Sequence, residues 1–104
     1  MKVDLKPNEV ITKASDANHF INGGNEKVKG KLILTNQRLY FLTKTSEEVE
    51  FNREILPRDI EEIMFFNSMK ILPNGLSIIT REGQDLRFLV KKRNEWGKMI
   101  NKIY

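Results

Sequence analysis

Alternation of apolar and polar side chains is the dominant pattern along this chain. In GKLILTNQRLYFLTK, Gly30 to Lys44, the apolar residues are too dense for a loop and too rich in β-branched and aromatic types for a helix surface. With Asn36-Gln37 as the two loop residues of a hairpin, Thr35 faces Arg38, Leu34 faces Leu39, Ile33 faces Tyr40 and Leu32 faces Phe41. Successive strand side chains point to opposite faces, so Leu32, Leu34, Leu39 and Phe41 share one side, which predicts a core face. Lys31, Thr35 and Arg38 fall on the other side with the Ile33-Tyr40 pair, which predicts a face partly in water. Asn-Gln makes a weaker turn than Asn-Gly, because glutamine disfavours positive φ.

A second hairpin is predicted in GLSIITREGQDLRFLV, residues 75 to 90. With Glu82-Gly83 as its turn, Ile79 faces Leu86 and Ser77 faces Phe88, so Ile79, Leu86, Phe88 and Val90 share a side and Leu76 and Ile78 take the other. Strand signals also occur at Val49 to Leu56 and Ile60 to Phe66, separated by the breaker Pro57-Arg58-Asp59, and Pro73-Asn74-Gly75 reads as a turn. Glu9 to Asn22 alternates at both ends around Ala14-Ser15-Asp16, as two short strands or as one bent strand with a bulge. The period changes only at the C-terminus. Trp96, Met99, Ile100 and Ile103 lie at i, i+3, i+4 and i+7, one stripe of an amphipathic helix, with Asn94 as its cap and Glu95 in its first turn. Seven or eight short strands followed by one helix predict a single mainly-β domain, a sandwich or partly open barrel whose edge or open end takes the apolar stripe.

Composition narrows the classes. The 104 residues, 39% apolar and 31% charged, suit one two-layer core, and no apolar run approaches the roughly 20 residues of a bilayer span. Charge and a proline near the N-terminus do not fit a secretory signal, and the absence of cysteine removes disulfides and thiolate metal sites, so a cytoplasmic setting is expected. Five cations against the single Glu95 in residues 91–104 account for the whole net charge of +4. Glu47 to Glu62 is acidic, and Lys27, Lys29 and Lys31 form a small basic cluster beside Glu26. His19 stands alone without other imidazole or thiol ligands, the adjacent pairs Glu47-Glu48 and Glu61-Glu62 point to opposite strand faces, and no acyl-transfer signature is present. Neither an enzyme, nor a metal, nor a cofactor is indicated. The basic tail is not interleaved with aromatic residues in an RNA-binding pattern, so nucleic acid is not indicated either.

Gly30-Lys31-Leu32-Ile33-Leu34-Thr35-Asn36-Gln37-Arg38-Leu39-Tyr40-Phe41 resembles the G-x-L-x-L-T-N-x-R-L-x-F signature of GRAM domains, and Leu56-Pro57-Arg58-Asp59-Ile60 is similar to a later segment of the same family. The resemblance covers about residues 7–103 and implies a pleckstrin-homology-like (PH-like) fold, two near-orthogonal antiparallel sheets of four and three strands capped by the C-terminal helix. Some domains of that fold bind phosphoinositides through basic residues of the loop after the first strand, here Asn22 to Val28, and of the strand that follows it. Here the resemblance implies Lys27, Lys29 and Lys31 as headgroup contacts, with Lys44 and Arg81 converging from neighbouring loops, and a non-catalytic module peripheral to an anionic membrane. The pattern wants an arginine fork that this segment lacks. The alternative is a protein partner or self-association through Ile33, Tyr40 and Leu42 on the outer side of the first hairpin.

Overall fold

The computed structural model of the chain describes residues 4–69 and 71–104. Seven strands, β1 (Ile11–Ile21), β2 (Glu26–Thr35), β3 (Leu39–Thr43), β4 (Arg53–Ile55), β5 (Ile60–Ser68), β6 (Leu72–Thr80) and β7 (Asp85–Val90), precede one helix, α1 (Arg93–Asn101). They form one curled antiparallel sheet in the order β4-β3-β2-β1-β7-β6-β5. Strand β1 pairs with β2 along its whole length but with β7 only through Ala17 to His19, so it joins a four-stranded wing to a three-stranded wing. Between the wings lies a core that includes Leu32, Leu34, Leu39, Phe41, Phe88 and Trp96. The predicted class, mainly β with one terminal helix, is the observed one.

The first hairpin has the predicted register, with Leu34 opposite Leu39, Ile33 opposite Tyr40 and Leu32 opposite Phe41. Its turn needs no positive φ, because the Thr35 hydroxyl accepts the backbone N–H of Gln37 at 3.1 Å and of Arg38 at 3.0 Å. Within residues 9–22 there is one strand, Ile11–Ile21, rather than two. Its irregularity falls at Thr12, between the Ile11–Thr35 and Lys13–Leu34 pairs, rather than at Ala14-Ser15-Asp16.

Four expectations are corrected. The second hairpin is shifted by one residue, pairing Ile78 with Leu86 and Leu76 with Phe88, so Leu76 and Ile78 enter the core and Ile79 leaves it. The cause is a three-residue loop, Arg81-Glu82-Gly83: the Gly83 N–H bonds to the Thr80 carbonyl, Gly83 takes φ 89°, and the Thr80 N–H bonds to the Gln84 carbonyl. The predicted strand Val49 to Leu56 is cut short: Val49 to Phe51 belong to a 3-10 turn, Ser46–Phe51, leaving only Arg53–Ile55 as strand. Pro73-Asn74-Gly75 lies inside β6, where a bulge opposite β5 between Phe66 and Ser68 absorbs the proline. Helix α1 starts two residues early, with left-handed Lys92 rather than Asn94 at its N-cap, and the Lys92 carbonyl accepts from Glu95 and Trp96. Trp96 and Ile100 are buried as the helical stripe predicts, and Gly97 lets the Phe65 ring lie against the helix.

Candidate functional site

The outer face of the first hairpin is not the half-wet surface expected. Ile33, Thr35, Arg38 and Tyr40 are all buried, and Leu42 is half-buried. Residues 4–10 run over this face and are tied down by the Thr-Asn-Gln-Arg turn itself. Asn36 accepts from the Val10 N–H at 2.8 Å and donates to the Asn8 carbonyl at 3.0 Å, while Gln37 donates to the Pro7 carbonyl at 2.9 Å. Arg38 donates from Nε to Glu9 Oε2 and from Nη2 to Glu9 Oε1, both at 2.8 Å, reaches Glu54 and the Asp4 carbonyl, and lies 4.2 Å above the Tyr40 ring. Burial alone would push the Glu9 carboxyl up, yet bonds from the Thr35 hydroxyl, the Lys6 N–H and Arg38 hold it below its ordinary range. The most distinctive motif of the sequence is thus a structural clasp. A partner meeting Ile33 and Tyr40 would have to lift Arg38 away first.

The lysines are placed differently. Alternation along β2 buries Val28 and Gly30 and sends Lys27, Lys29 and Lys31 to the exposed face. Lys29 stands beside Lys44, whose backbone N–H bonds to the Lys29 carbonyl, and both border a groove of about 300 Å³ that crosses β1. Across it stands Lys91 at the end of β7, with Asn18 and Asn74 as amide neighbours and Asp16 as the one carboxylate of its lining. Lys44 and Asp16 are 3.7 Å apart with 52% and 76% of their side chains exposed, a pairing weak enough to yield to a better anion. Lys27 borders an adjoining cleft of about 630 Å³, whose walls include Phe20, Phe66, Met69, Leu72 and Arg87; Asn74 and Leu89 line both hollows. The structure therefore brings Lys29 and Lys44 together and leaves Lys27 next door. Lys31 borders neither hollow, and Arg81 stands apart, donating to the Arg58 carbonyl in the gap between β4 and the β6–β7 loop. Lys91, Asn18, Asn74 and Arg87 were not among the predicted contacts. The alternation of β7, which sends Arg87, Leu89 and Lys91 to one side, is the signal that points to two of these four, Arg87 and Lys91.

A third hollow, of about 580 Å³, opens at the mouth between the β1–β2 turn, Phe51 and the start of β7. His19 lies there, stacked on Phe88 with ring centroids 4.6 Å apart and edge-on to Phe41. Its Nδ1 is 2.9 Å from the Arg87 carbonyl, which can only accept, so Nδ1 carries the proton and Nε2 is a bare acceptor, buried with no hydrogen-bond partner among the described residues. Burial, reinforced by the positive charge of Arg53, holds the imidazole pKa below its usual value and keeps the ring neutral.

Among solved structures the chain is similar to the C-terminal domain of an unknown protein from Leishmania infantum, at 14% identity and a TM-score of 0.72 over 92% of this chain and 85% of that one. It is similar also to the Vps36 N-terminal PH domain, at 12% identity and a TM-score of 0.71 over 95% of this chain and 81% of that one. The fold is PH-like. No family model and no curated protein matches the sequence. At these identities the likeness concerns backbone architecture, and the function of a PH-like chain has to be argued from its own side chains.

Proposed function

We propose that this chain is a non-catalytic, GRAM-like binding module that attaches peripherally to membranes by taking anionic lipid headgroups in the groove across β1. The observation that carries this reading is the convergence of Lys29, Lys44 and Lys91 on one hollow with two amide side chains and a single carboxylate. Three ammonium groups carried on or just beyond strands attract phosphate or carboxylate without needing the bidentate geometry of arginine, and the amides of Asn18 and Asn74 supply further donors. Each lysine near an anionic bilayer contributes about 1 kcal/mol, falling as salt is added.

The test is co-sedimentation with phosphatidylcholine vesicles with and without phosphatidylserine. Replacing Lys29, Lys44 and Lys91 together by glutamine is expected to weaken binding to the anionic vesicles about 100-fold at low salt. Replacing Lys98 and Lys102 on the exposed side of α1 leaves it nearly unchanged. Equal loss from both sets would mean that only net charge matters, and no binding by the unaltered chain would end the lipid reading in favour of a protein ligand.

A further inference from the structure

The turn between β5 and β6 carries a feature that the fold does not require. Met69 is 82% exposed, Ile71 78% and Leu72 43%, whereas the short turns after β1, β2 and β6 are built from glycine and polar residues. Met69 also takes the left-handed conformation, φ 49°, which glycine or asparagine adopts more readily. Apolar side chains so exposed lose free energy in water and gain nothing from the core.

Their surroundings indicate what would cover them. Met69 and Leu72 form one wall of the 630 Å³ cleft; Gly23, Gly24 and Lys27 belong to the other, and Phe66 and Leu89 line it between them. The Arg87 guanidinium lies 3.9 Å over the Phe66 ring, and its Nε makes no hydrogen bond among the described residues, its one ionic neighbour being the half-exposed Asp85 carboxylate at 3.9 Å. The adjoining groove adds Lys29, Lys44 and Lys91 against Asp16. An apolar tip flanked by that many cations matches the boundary of an anionic bilayer, where headgroups meet lysine and arginine and acyl chains meet methionine and isoleucine. A second copy seated face to face would set positive charge against positive charge.

We propose that Met69, Ile71 and Leu72 form a wedge that inserts below the headgroups while the lysine groove holds them. This rests on the headgroup reading above, and the two fail in different ways. The Met69→Ser/Ile71→Ser variant changes only exposed side chains and no charge. Its partitioning to phosphatidylcholine vesicles containing about one-third phosphatidylserine is expected to fall about 10- to 100-fold. Apolar insertion is not screened, so that factor persists as ionic strength rises from about 0.1 M to 1 M, while the lysine contribution fades with a Debye length shrinking from about 10 Å to 3 Å. Met69→Leu/Ile71→Leu retains binding. The chain has no cysteine, so Ile71→Cys gives a unique attachment point for an environment-sensitive dye, whose emission shifts to the blue on adding these vesicles. Vesicle binding that is indifferent to the serine substitutions, or a dye that stays in water while the protein binds, would overturn the wedge and leave the headgroup reading standing. Failure of the unaltered chain to bind anionic vesicles would overturn both. A blue shift on raising protein concentration without vesicles would assign the tip to another copy instead and overturn the wedge.

Discussion

Replacing Glu9 by glutamine tests the clasp that the Thr-Asn-Gln-Arg turn builds. The carboxylate receives four donors: the Lys6 N–H at 2.8 Å and Arg38 Nη2 at 2.8 Å on Oε1, the Thr35 hydroxyl at 2.6 Å and Arg38 Nε at 2.8 Å on Oε2. Glutamine keeps its shape but can satisfy only one pair, because its NH2 must face the other. The least costly arrangement puts the NH2 at the Oε2 position, where Thr35 can turn its proton to the Arg38 carbonyl, 3.1 Å away, although its two lone pairs are already taken by the Gln37 and Arg38 N–H groups. Arg38 Nε is then a buried charged donor facing a donor. Breaking a buried ion pair from one side costs about 3–5 kcal/mol. Here the residual bonds of Arg38 to Glu54 and the Asp4 carbonyl bring the expected loss to about 2–3 kcal/mol, the scale of one hydrogen bond to a charged group. For a domain of this size that lowers the melting temperature by about 10–20 °C. Urea unfolding followed by the fluorescence of Trp96, the single and fully buried tryptophan, measures it. The pH dependence carries a sign as well. Glu9 has a depressed pKa in the folded chain, so its contribution is complete above the ordinary carboxylate range and vanishes as pH falls through the folded-state value; the variant lacks that acid-side loss. A Glu9→Leu/Arg38→Met double variant recovers much of the stability, because neither charge is left buried alone. A Glu9→Gln loss below about 0.5 kcal/mol, within the scatter of surface substitutions, would refute the clasp.

Three further outcomes follow from the same contacts. His19 is the sole histidine and its folded-state pKa is depressed, so stability holds above its ordinary value and declines as pH drops below about 6.5 towards the folded-state value; His19→Phe, which keeps an aromatic ring between Phe41 and Phe88, flattens the curve from about pH 5 to 7 in urea titrations. Gly30→Ala drives a methyl into the Leu42 carbonyl and the Phe41 ring and is expected to cost about 1–3 kcal/mol. Gly97→Ala meets the end of the Phe65 ring at 2.7 Å, but that side chain is half-exposed and can move, so thermal unfolding should register less than about 1 kcal/mol.

What was legible in the sequence depended on whether a turn's length could be read. The register and core face of the Gly30–Lys44 hairpin were legible because Asn36-Gln37 leaves a two-residue loop between dense apolar runs, and burying Leu32, Leu34, Leu39 and Phe41 requires that register; the burial of its outer face was not, because residues 4–10 cover it. In residues 75–90 apolar side chains occur on both strand faces, so alternation could not choose between a two-residue and a three-residue loop. The choice fell to Gly83, whose positive φ closes the longer one, and a single residue moved Leu76, Ile78 and Ile79 to the opposite face. Pro73-Asn74-Gly75 misled for a related reason: turn chemistry is also strand chemistry wherever a bulge absorbs it.

The site was harder to read, because it belongs to no single segment. Alternation along β2 correctly put Lys27, Lys29 and Lys31 on one exposed side, yet the groove is completed by Lys44 after β3, Asn18 on β1, Asn74 on β6 and Lys91 after β7. These meet only because β1 pairs with β2 on one flank and, for three residues, with β7 on the other, so that the two wings of the sheet diverge over its outer face. Arg81 looked equivalent to Lys44 by loop position, but it sits at the far edge of the β7 wing, where its guanidinium is taken by the Arg58 carbonyl. Arg87, which a count of basic residues passes over, faces the cleft because it alternates with Leu86 and Phe88 on the inward side. Charge in this chain therefore acts through strand parity. Moving a lysine one position along β2 would turn it into the core and remove it from the groove, whereas moving it two positions would slide it along the same face at almost unchanged net potential.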